Sequence, residues 1–372
     1  MEKKPKVLFI FQLPPPVHGA SLMNDLINQS HAINNNIIFD PYYINLTTAK
    51  DINDVGKNKF SKYFGALSIY KKLLLTLLKN KIDLSYITLS PHGIAFYKDS
   101  LIILILRLFR IKRVIHLHGK GINAIIKTNR FKKSLYAFIF KNAKVIHLSP
   151  KLYFDIKEIV KKENIYFLAN GIGHKEVIKK ESVNNRLLYL SNLQETKGSF
   201  ILLQAARILK ERNVDFNVDF VGKWHKDKSF KEKFISYIRE NGLSNIVKHH
   251  GAKYGKDKET FLENSSVFVL PTFYKNECFP ISILEAMSYG LIVISTYEGA
   301  ISEIVDNNKT GLLLDKVDPI ELANKIEFLL KSKDKMLEMG VQAQSKFKLC
   351  YTKEIFENKL IQIISDILKT YE

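Results

Sequence analysis

Residues 267–290 read VFVLPTFYKNECFPISILEAMSYG, and this stretch decides the fold assignment. Its first four residues are apolar and predict a buried strand. Pro280 stands where a first helical turn is expected, and Gly290 is a typical helix stop. The stretch is therefore predicted to form a strand, a loop and a helix.

The same alternation of apolar runs with amphipathic stretches continues along the whole chain, which predicts parallel sheets wrapped by helices. Six strands are predicted in the first half, over residues 6–11, 37–45, 82–89, 113–118, 145–149 and 165–169. A second series covers residues 186–190, 216–221, 246–250, 267–270, 291–295 and 312–314. A chain of 372 residues is too long for one comfortable core, so two α/β domains are expected.

The domain boundary is placed at residues 174–185, which are polar and charged with three apolar exceptions. The N-terminal domain then covers residues 1–173 and the C-terminal domain residues 186–350. Residues 351–372 are predicted to form a final amphipathic helix that can pack back on the N-terminal domain.

The net charge of +20 is concentrated in the first half of the chain. Residues 1–180 contain 30 Lys and Arg against 11 Asp and Glu, or +19, whereas residues 181–372 contain 27 against 26, or +1. This asymmetry indicates an anionic partner for the first half: a membrane surface, a phosphorylated acceptor or nucleic acid. Cys278 and Cys350 lack the spacing of a metal or redox site, so neither zinc nor a disulfide framework is expected.

The first residues imitate a signal peptide, but their apolar run is short and no cleavage site follows, so a buried first strand is predicted. The longest purely apolar run elsewhere, residues 101–106, is far below the ~20 residues that span a bilayer. The expected location is the cytoplasm, with the protein soluble or peripheral on the inner face of the cell membrane.

Two carboxylates flank the start of the helix in the opening stretch. Glu277 precedes the helix and Glu285 lies within its first two turns, so both can face the carboxyl ends of the strands, where open α/β folds bind ligands. The helix N-terminus between them offers N–H groups to a phosphate. This combination suits a nucleotide-sugar, although two glutamates eight residues apart are common on a solvated helix.

With Gly299, Glu303 and the run Asn308-Lys-Thr-Gly311, the stretch resembles the signature of family 4 retaining glycosyltransferases. The resemblance extends from residue 7 to about residue 315. It implies the GT-B fold, in which two Rossmann-like, doubly wound parallel-sheet domains face a cleft. It further implies retaining transfer of a sugar from a nucleotide-diphosphate sugar, expected to be a UDP-sugar, to a glycan acceptor in surface polysaccharide biosynthesis. The residues expected to bind the donor are Gly19, Lys197, Cys278, Phe279, Pro280, Ile281, Ser282 and Glu285.

Lys197 follows the first strand of the second half, where the family places a basic residue on the donor diphosphate. The family often has Arg at the position of Asn192, so the diphosphate depends more heavily on Lys197 and the helix N-terminus. An ordinary exposed lysine is the alternative. No Asp-x-Asp motif occurs, so no metal and no other cofactor is expected.

The first half contributes a glycine-bearing loop and a histidine. His18, Gly19 and Ser21 resemble the family's loop near the donor phosphates and the acceptor, with Ser21 expected to cap the following helix, although a structural proline turn is the alternative. His118 ends a predicted strand and matches the family's cleft histidine, which together with Glu277 is expected to be catalytic. His116 is assigned the opposite face of the strand and predicted to be packed.

Basic residues mix with aromatic and aliphatic ones at helical spacing over residues 60–81 and 101–141. These stretches are either amphipathic core helices or a face for an anionic membrane, and the expected acceptor is accordingly a lipid-linked glycan. A nucleotide-sugar 2-epimerase is the alternative enzyme. A nucleic-acid-binding protein is the alternative from another class, but no nucleic-acid-binding module accompanies the charge, so nucleic acid is not expected as a partner.

Overall fold

A computed structural model of the chain describes residues 3–47, 59–173, 183–225 and 227–370, without the side chains of residues 59–64 and 66. The chain forms two compact units: residues 1–171 together with 353–372, and residues 172–352. Most of the predicted linker, residues 174–182, lies outside the described residues.

The first unit is built on a six-stranded parallel sheet in the order β2-β1-β3-β4-β5-β6. Its strands are β1 (Lys6–Phe11), β2 (Asp40–Asn45), β3 (Leu84–Thr88), β4 (Lys112–Leu117), β5 (Ala143–His147) and β6 (Ile165–Phe167). Its helices before the second unit are α1 (Gly19–Gln29), α2 (His31–Asn34), α3 (Lys59–Lys79), α4 (Gly93–Leu108), α5 (Ile122–Thr128) and α6 (Arg130–Phe140). Short 3-10 helices cover Pro150–Asp155 and Lys162–Asn164.

The helices of this unit divide between the two faces of the sheet. The chain runs from β1 outward to β2 and then returns past β1 to β3, so right-handed crossovers place α1 and α2 on one face and α3 to α6 on the other. On the second face, Leu8, Ile10 and Ile115 of the strands share one apolar core with side chains of α3, α4, α5 and α6. The outer surfaces of α3, α4 and α6 therefore lie on one side of the unit.

The second unit contains another six-stranded parallel sheet, in the order β12-β11-β10-β7-β8-β9. Its strands are β7 (Arg186–Leu190), β8 (Asn217–Val221), β9 (Val247–His249), β10 (Val267–Leu270), β11 (Ile292–Thr296) and β12 (Gly311–Leu314). A 3-10 helix covers Glu195–Lys197. The α-helices are α7 (Ser199–Glu211), α8 (Lys228–Glu240), α9 (Gly255–Asn264), α10 (Ile281–Ser288), α11 (Ile301–Ile304), α12 (Pro319–Leu330) and α13 (Lys333–Cys350).

The last helix, α14 (Lys353–Lys369), returns to the first unit, where it contacts α2. It buries one apolar stripe, formed by Phe356, Leu360, Ile363, Ile364 and Ile367. Of the helices that the structure describes, none is both long and apolar enough to cross a bilayer.

All twelve predicted strands are present, with ends displaced by at most three residues. The helix stop at Gly290 is confirmed: its φ is +69°, and the N–H groups of Gly290 and Leu291 donate to the carbonyls of Met287 and Ala286 at 3.0 Å. Pro280 was predicted to lie in the first helical turn, which is one residue too far into the helix. It is the N-cap of α10, which begins at Ile281.

Candidate active site

The second sheet reverses its strand order between β7 and β10, and open α/β sheets bind ligands at such a point. Lys197 ends the 3-10 turn after β7, and Glu277 lies in the loop after β10. Nζ of Lys197 lies 2.6 Å from Oε2 of Glu277, and the two side chains are 19% and 9% exposed. Two residues singled out separately in the sequence thus form one largely buried ion pair at this point.

Two further side chains from the loop after β10 surround the pair. The hydroxyl of Thr272 donates a hydrogen bond to Oε2 of Glu277 at 3.3 Å. The ammonium group of Lys197 lies 4.7 Å from the ring centre of Tyr274, within the range of a cation–π contact. Neither residue was identified from the sequence, because their relation to Lys197 depends on β7 and β10 being neighbours.

Glycines allow the loops around this ion pair to approach one another closely. Gly198 has a φ of +77°, and a Cβ there would stand 2.1 Å from the carbonyl oxygen of Pro271. Gly299 has a φ of +61°, and a Cβ there would stand 2.4 Å from the carbonyl oxygen of Glu277. The loops after β7 and β11 therefore hold the backbone around Glu277 from two sides.

The second carboxylate of the signature also has a lysine partner. Glu285 lies in the second turn of α10, and its Oε1 is 2.6 Å from Nζ of Lys258 on α9. The carboxylate side chain is 18% exposed and the lysine 25%. Lys258 was missed in the sequence because α9 lies before β10 and carries no motif of its own.

The predicted donor contacts at residues 278–282 divide into two groups. Cys278, Phe279 and Pro280 are buried, as is the neighbouring Glu277. Ile281 and Ser282 are half-buried and form the first turn of α10, where helical N–H groups point outward.

In the first unit, His118 directly follows β4, and both of its ring nitrogens are shielded from solvent. His116 is completely buried, as predicted, with a hydrogen bond between its Nδ1 and the hydroxyl of Tyr86. Its assignment to the opposite face was wrong, since residues two apart on a strand point to the same face. The ring centres of His116 and His118 are accordingly 4.1 Å apart.

Burial keeps these histidines neutral. The pKa of His118 is lowered to about 3, mainly by burial and to a smaller extent by His18, while Asn170 opposes the change. Burial, followed by the nearness of His118, lowers the pKa of His147 to about 3. The pKa of His116 lies well below its usual range, first because of burial and then because of the two neighbouring histidines.

The loop after β1 ends in a capping box in which His18, and not the predicted Ser21, is the N-cap. His18 is the N-cap of α1, and its Nδ1 accepts a hydrogen bond from the N–H of Ser21 at 3.2 Å. The Ser21 hydroxyl accepts from the N–H of His18 at 3.0 Å. Ser21 is therefore a buried residue of the first turn and not the cap, while Gly19 begins the helix.

The part of the chain that contains this ion pair matches a known protein family. Residues 173–346, which contain Lys197, Glu277, Glu285 and Lys258, match the protein family described as Glycosyl transferases group 1. Residues 173–346 are a glycosyl transferases group 1 domain. The group 1 domain thus coincides with nearly all of the second unit.

The chain is also similar to curated proteins that are named as glycosyltransferases. An amylovoran biosynthesis glycosyltransferase of Erwinia amylovora is 26% identical over 183 residues, covering 48% of this chain and 44% of the relative. A D-inositol 3-phosphate glycosyltransferase of Paenarthrobacter aurescens is 27% identical over 156 residues, covering 41% and 37%. The chain thus spans less than half the length of either relative.

Among solved structures, Anabaena HepE in complex with UDP aligns with a TM-score of 0.73 at 18% identity, covering 97% of this chain and 100% of HepE. The likeness extends beyond the group 1 domain to the first unit. It confirms the predicted GT-B fold class, with two Rossmann-like parallel-sheet domains.

Inside and outside the group 1 domain, the described residues include no group of three or more His, Cys, Asp or Glu side chains arranged to hold a metal ion. Asp155 was not identified from the sequence. Its carboxylate accepts hydrogen bonds from the N–H groups of Gly121, Ile122 and Asn123 at 2.9–3.1 Å. It fixes the start of α5, just after His118.

Proposed function

We propose that this protein transfers a sugar from a UDP-sugar to a lipid-linked glycan acceptor in the biosynthesis of a surface polysaccharide. The observation that carries the proposal is the Lys197–Glu277 ion pair at the strand-order reversal of the group 1 domain. The relative that acts in amylovoran biosynthesis supports the polysaccharide, and the HepE complexes with UDP and UDP-glucose support the donor.

The ion pair supplies both groups that a nucleotide-sugar needs. The diphosphate carries the negative charge, so Lys197 and the N-terminal N–H groups of α10 are its natural partners. Once Lys197 turns to the diphosphate, the Glu277 carboxylate becomes available to accept hydrogen bonds from sugar hydroxyls. Donor binding therefore exchanges one ion pair for two sets of contacts.

Charge neutralisation by Lys197 and α10 makes the proposed reaction independent of metal. We propose that His118 takes part in the reaction as a neutral hydrogen-bonding group and that the loop carrying His18, Gly19 and Ser21 contacts the acceptor. The configuration of the sugar would be retained, in our proposal through attack from the face that the leaving group occupies.

Replacing Lys197 with alanine is expected to weaken UDP binding at least ~10-fold, because a hydrogen bond to a charged group contributes at least ~1.5 kcal/mol. Titrations in EDTA can follow the single tryptophan, Trp224, which lies in the loop after β8. Lys333→Ala, an exposed lysine at the start of α13, is the matched control and should bind UDP as the wild type does. Equal affinities for all three proteins, or wild-type binding that requires a divalent metal, would contradict this assignment.

We further propose that the protein docks on an anionic membrane through the outer surfaces of α3, α4 and α6, here called the α3–α4–α6 surface. Eleven of the 22 exposed large hydrophobic side chains among the described residues lie on these three helices. They are Leu67, Leu74, Leu75, Leu78, Ile94, Tyr97, Leu101, Leu104, Leu108, Phe131 and Phe138. Apolar patches of this kind mark interaction sites.

The charge around this surface selects an anionic partner. Between Asp99 and Asp155 the sequence contains 12 Lys and Arg, of which Arg113 and Lys120 are buried, and no acidic residue. Asp99 is the one acidic residue in the sequences of the three helices, and its side chain is buried. Basic residues near an anionic bilayer contribute about 1 kcal/mol each, and exposed aromatic and aliphatic side chains can enter the interface between them.

Vesicle co-sedimentation of the whole protein tests this docking. Binding to phosphatidylglycerol-rich vesicles is expected at low salt and should weaken as salt screens the charges, with little binding to neutral vesicles. Ile94→Ser combined with Phe131→Ser, which alters two side chains that are each 89% exposed, should lower the binding at least ~10-fold. The matched control is Ile235→Ser with Ile320→Ser in the second unit, and equal binding by both double variants would refute the surface.

A further inference from the structure

One four-residue turn carries two of the side chains that surround Lys197. The N–H of Glu277 donates to the carbonyl of Tyr274 at 2.8 Å, so these two residues stand at the two ends of the turn. Both reach the ammonium group of Lys197, which lies 4.7 Å from the centre of the Tyr274 ring and 2.6 Å from Oε2 of Glu277. The lysine therefore has a charged partner and an aromatic partner on the same turn.

The backbone of Lys197 is held by hydrogen bonds, but these do not fix the end of its side chain. Its N–H donates to the carbonyl of Gln194 at 3.0 Å, and its carbonyl accepts from the hydroxyl of Tyr189 at 3.4 Å. The side chain is a flexible four-carbon stem, and ordering such a stem on a ligand costs conformational entropy. A contact that already holds the end of the stem lowers this cost, which is the general advantage of a pre-organised site.

The two partners of the ammonium group differ in what they leave for an anionic ligand. A carboxylate neutralises the lysine and competes with a phosphate for it, whereas an aromatic ring has no net charge and attracts the cation through its quadrupole. An ammonium group has three donors, so contact with one face of a ring leaves N–H groups for phosphate oxygens. The contact with Tyr274, unlike that with Glu277, is therefore compatible with a bound diphosphate.

We propose that Tyr274 is a positioning residue that keeps the ammonium group of Lys197 at the diphosphate after Glu277 has released it. The inference rests on the function proposed above, in which Lys197 binds the donor diphosphate. Tyr274 acts through Lys197, so its ring is expected to matter only while the lysine is present. The hydroxyl of Tyr274 has no part in this role.

A double-mutant cycle on nucleotide affinity tests the coupling, using whichever of UDP, GDP or ADP binds the wild type most tightly. Tyr274→Leu should weaken binding about 3- to 10-fold when Lys197 is present, which is the range of a cation–π contact partly shielded from water. In Lys197→Met the same substitution should change the affinity less than about 1.5-fold, because the contact is already lost. Tyr274→Phe keeps the ring and should bind within about twofold of the wild type.

Two further variants guard against a general effect of the substitution. Tyr274→Met repeats the measurement with a second side chain that lacks a ring, in case leucine disturbs the fold. Phe328→Leu is the matched control, because the ring of Phe328 on α12 also lies 4.7 Å from an ammonium group, that of Lys335 on α13. This control removes a cation–π contact of equal length from the same unit and should leave nucleotide binding unchanged.

Each other result overturns the inference. Equal weakening by Tyr274→Leu with and without Lys197 would mean that the ring contacts the nucleotide itself. A loss in Tyr274→Phe as large as that in Tyr274→Leu would assign the effect to the hydroxyl. Wild-type affinity in both Tyr274→Leu and Tyr274→Met would exclude a role of the ring. Failure of the proposed function is distinguishable, since Lys197→Met would then bind the nucleotide as the wild type does, whichever residue stands at position 274.

Discussion

Replacing Glu277 with glutamine is expected to lower the turnover number about 10²–10³-fold, the range seen when one pre-organised polar group is removed from a transition state. The affinity for UDP should stay within about threefold of wild type or improve. The reason is the geometry of the ion pair: UDP lacks the transferred sugar that would contact Glu277, and the substitution removes the carboxylate that competes for Lys197. The substitution is therefore expected to lower the turnover number without weakening the binding of UDP.

Release of UDP from a bound UDP-sugar, measured with and without lipid extracts as acceptor, provides the turnover, and titration with UDP provides the affinity. Glu263→Gln, an exposed carboxylate on α9, is the matched control and should leave both values unchanged. Wild-type turnover in Glu277→Gln would remove this residue from the chemistry. Fast UDP release that no acceptor stimulates would favour the epimerase class.

Mild acid is expected to destabilise the first unit by as much as about 4 kcal/mol between pH 7.5 and 5.5, a large part of a typical domain's stability. His116, His118 and His147 have lowered pKa values in the fold, whereas each titrates near 6.5 once the chain unfolds. The unfolded chain therefore binds protons that the folded unit excludes. The stability is fully present above pH 6.5 and is lost as the pH falls toward 3.

Urea unfolding at several pH values between 7.5 and 5.5 tests this, since carboxylates stay largely ionised over that window. Circular dichroism follows both units, while Trp224 fluorescence reports the second unit, so the larger acid-induced loss of stability should appear in the transition that tryptophan does not report. Burial also lowers the pKa of His249 in the second unit, so that unit should show a smaller loss. His147→Gln should remove part of the pH dependence, and the effect should exceed that of His31→Gln, which alters an exposed histidine of the same unit. A first unit equally stable at both pH values would exclude the mechanism.

The strands could be predicted from the sequence because fully buried parallel strands leave uninterrupted apolar runs. Glu277, Glu285 and Lys197 could be singled out as candidate donor residues because each follows such a run in a familiar pattern. The lysine partner of Glu285 could not, because the contact between α9 and α10 exists only after both have packed beside β10. In the sequence alone, nothing distinguishes Lys258 from the many other lysines of the chain.

Local rules also failed where a less common residue took the expected role. Serine is among the preferred N-cap residues and histidine is not, so Ser21 was the natural choice in the loop after β1. His18 nevertheless serves as the cap, because Nδ1 of an imidazole can accept the same hydrogen bond as a serine hydroxyl. The His18 ring is therefore held at the N-terminus of α1, where its Nδ1 accepts the hydrogen bond from Ser21.

The return of α14 to the first unit sets an order of events during synthesis on the ribosome. Residues 172–352 form one continuous unit, whereas the first unit includes a helix encoded after them. Domains generally fold as units while the chain emerges, so the second unit can complete its fold first and the earlier-made unit waits with its α14-binding surface uncovered. A chain arrested before residue 353 should consequently recruit chaperones through its N-terminal portion.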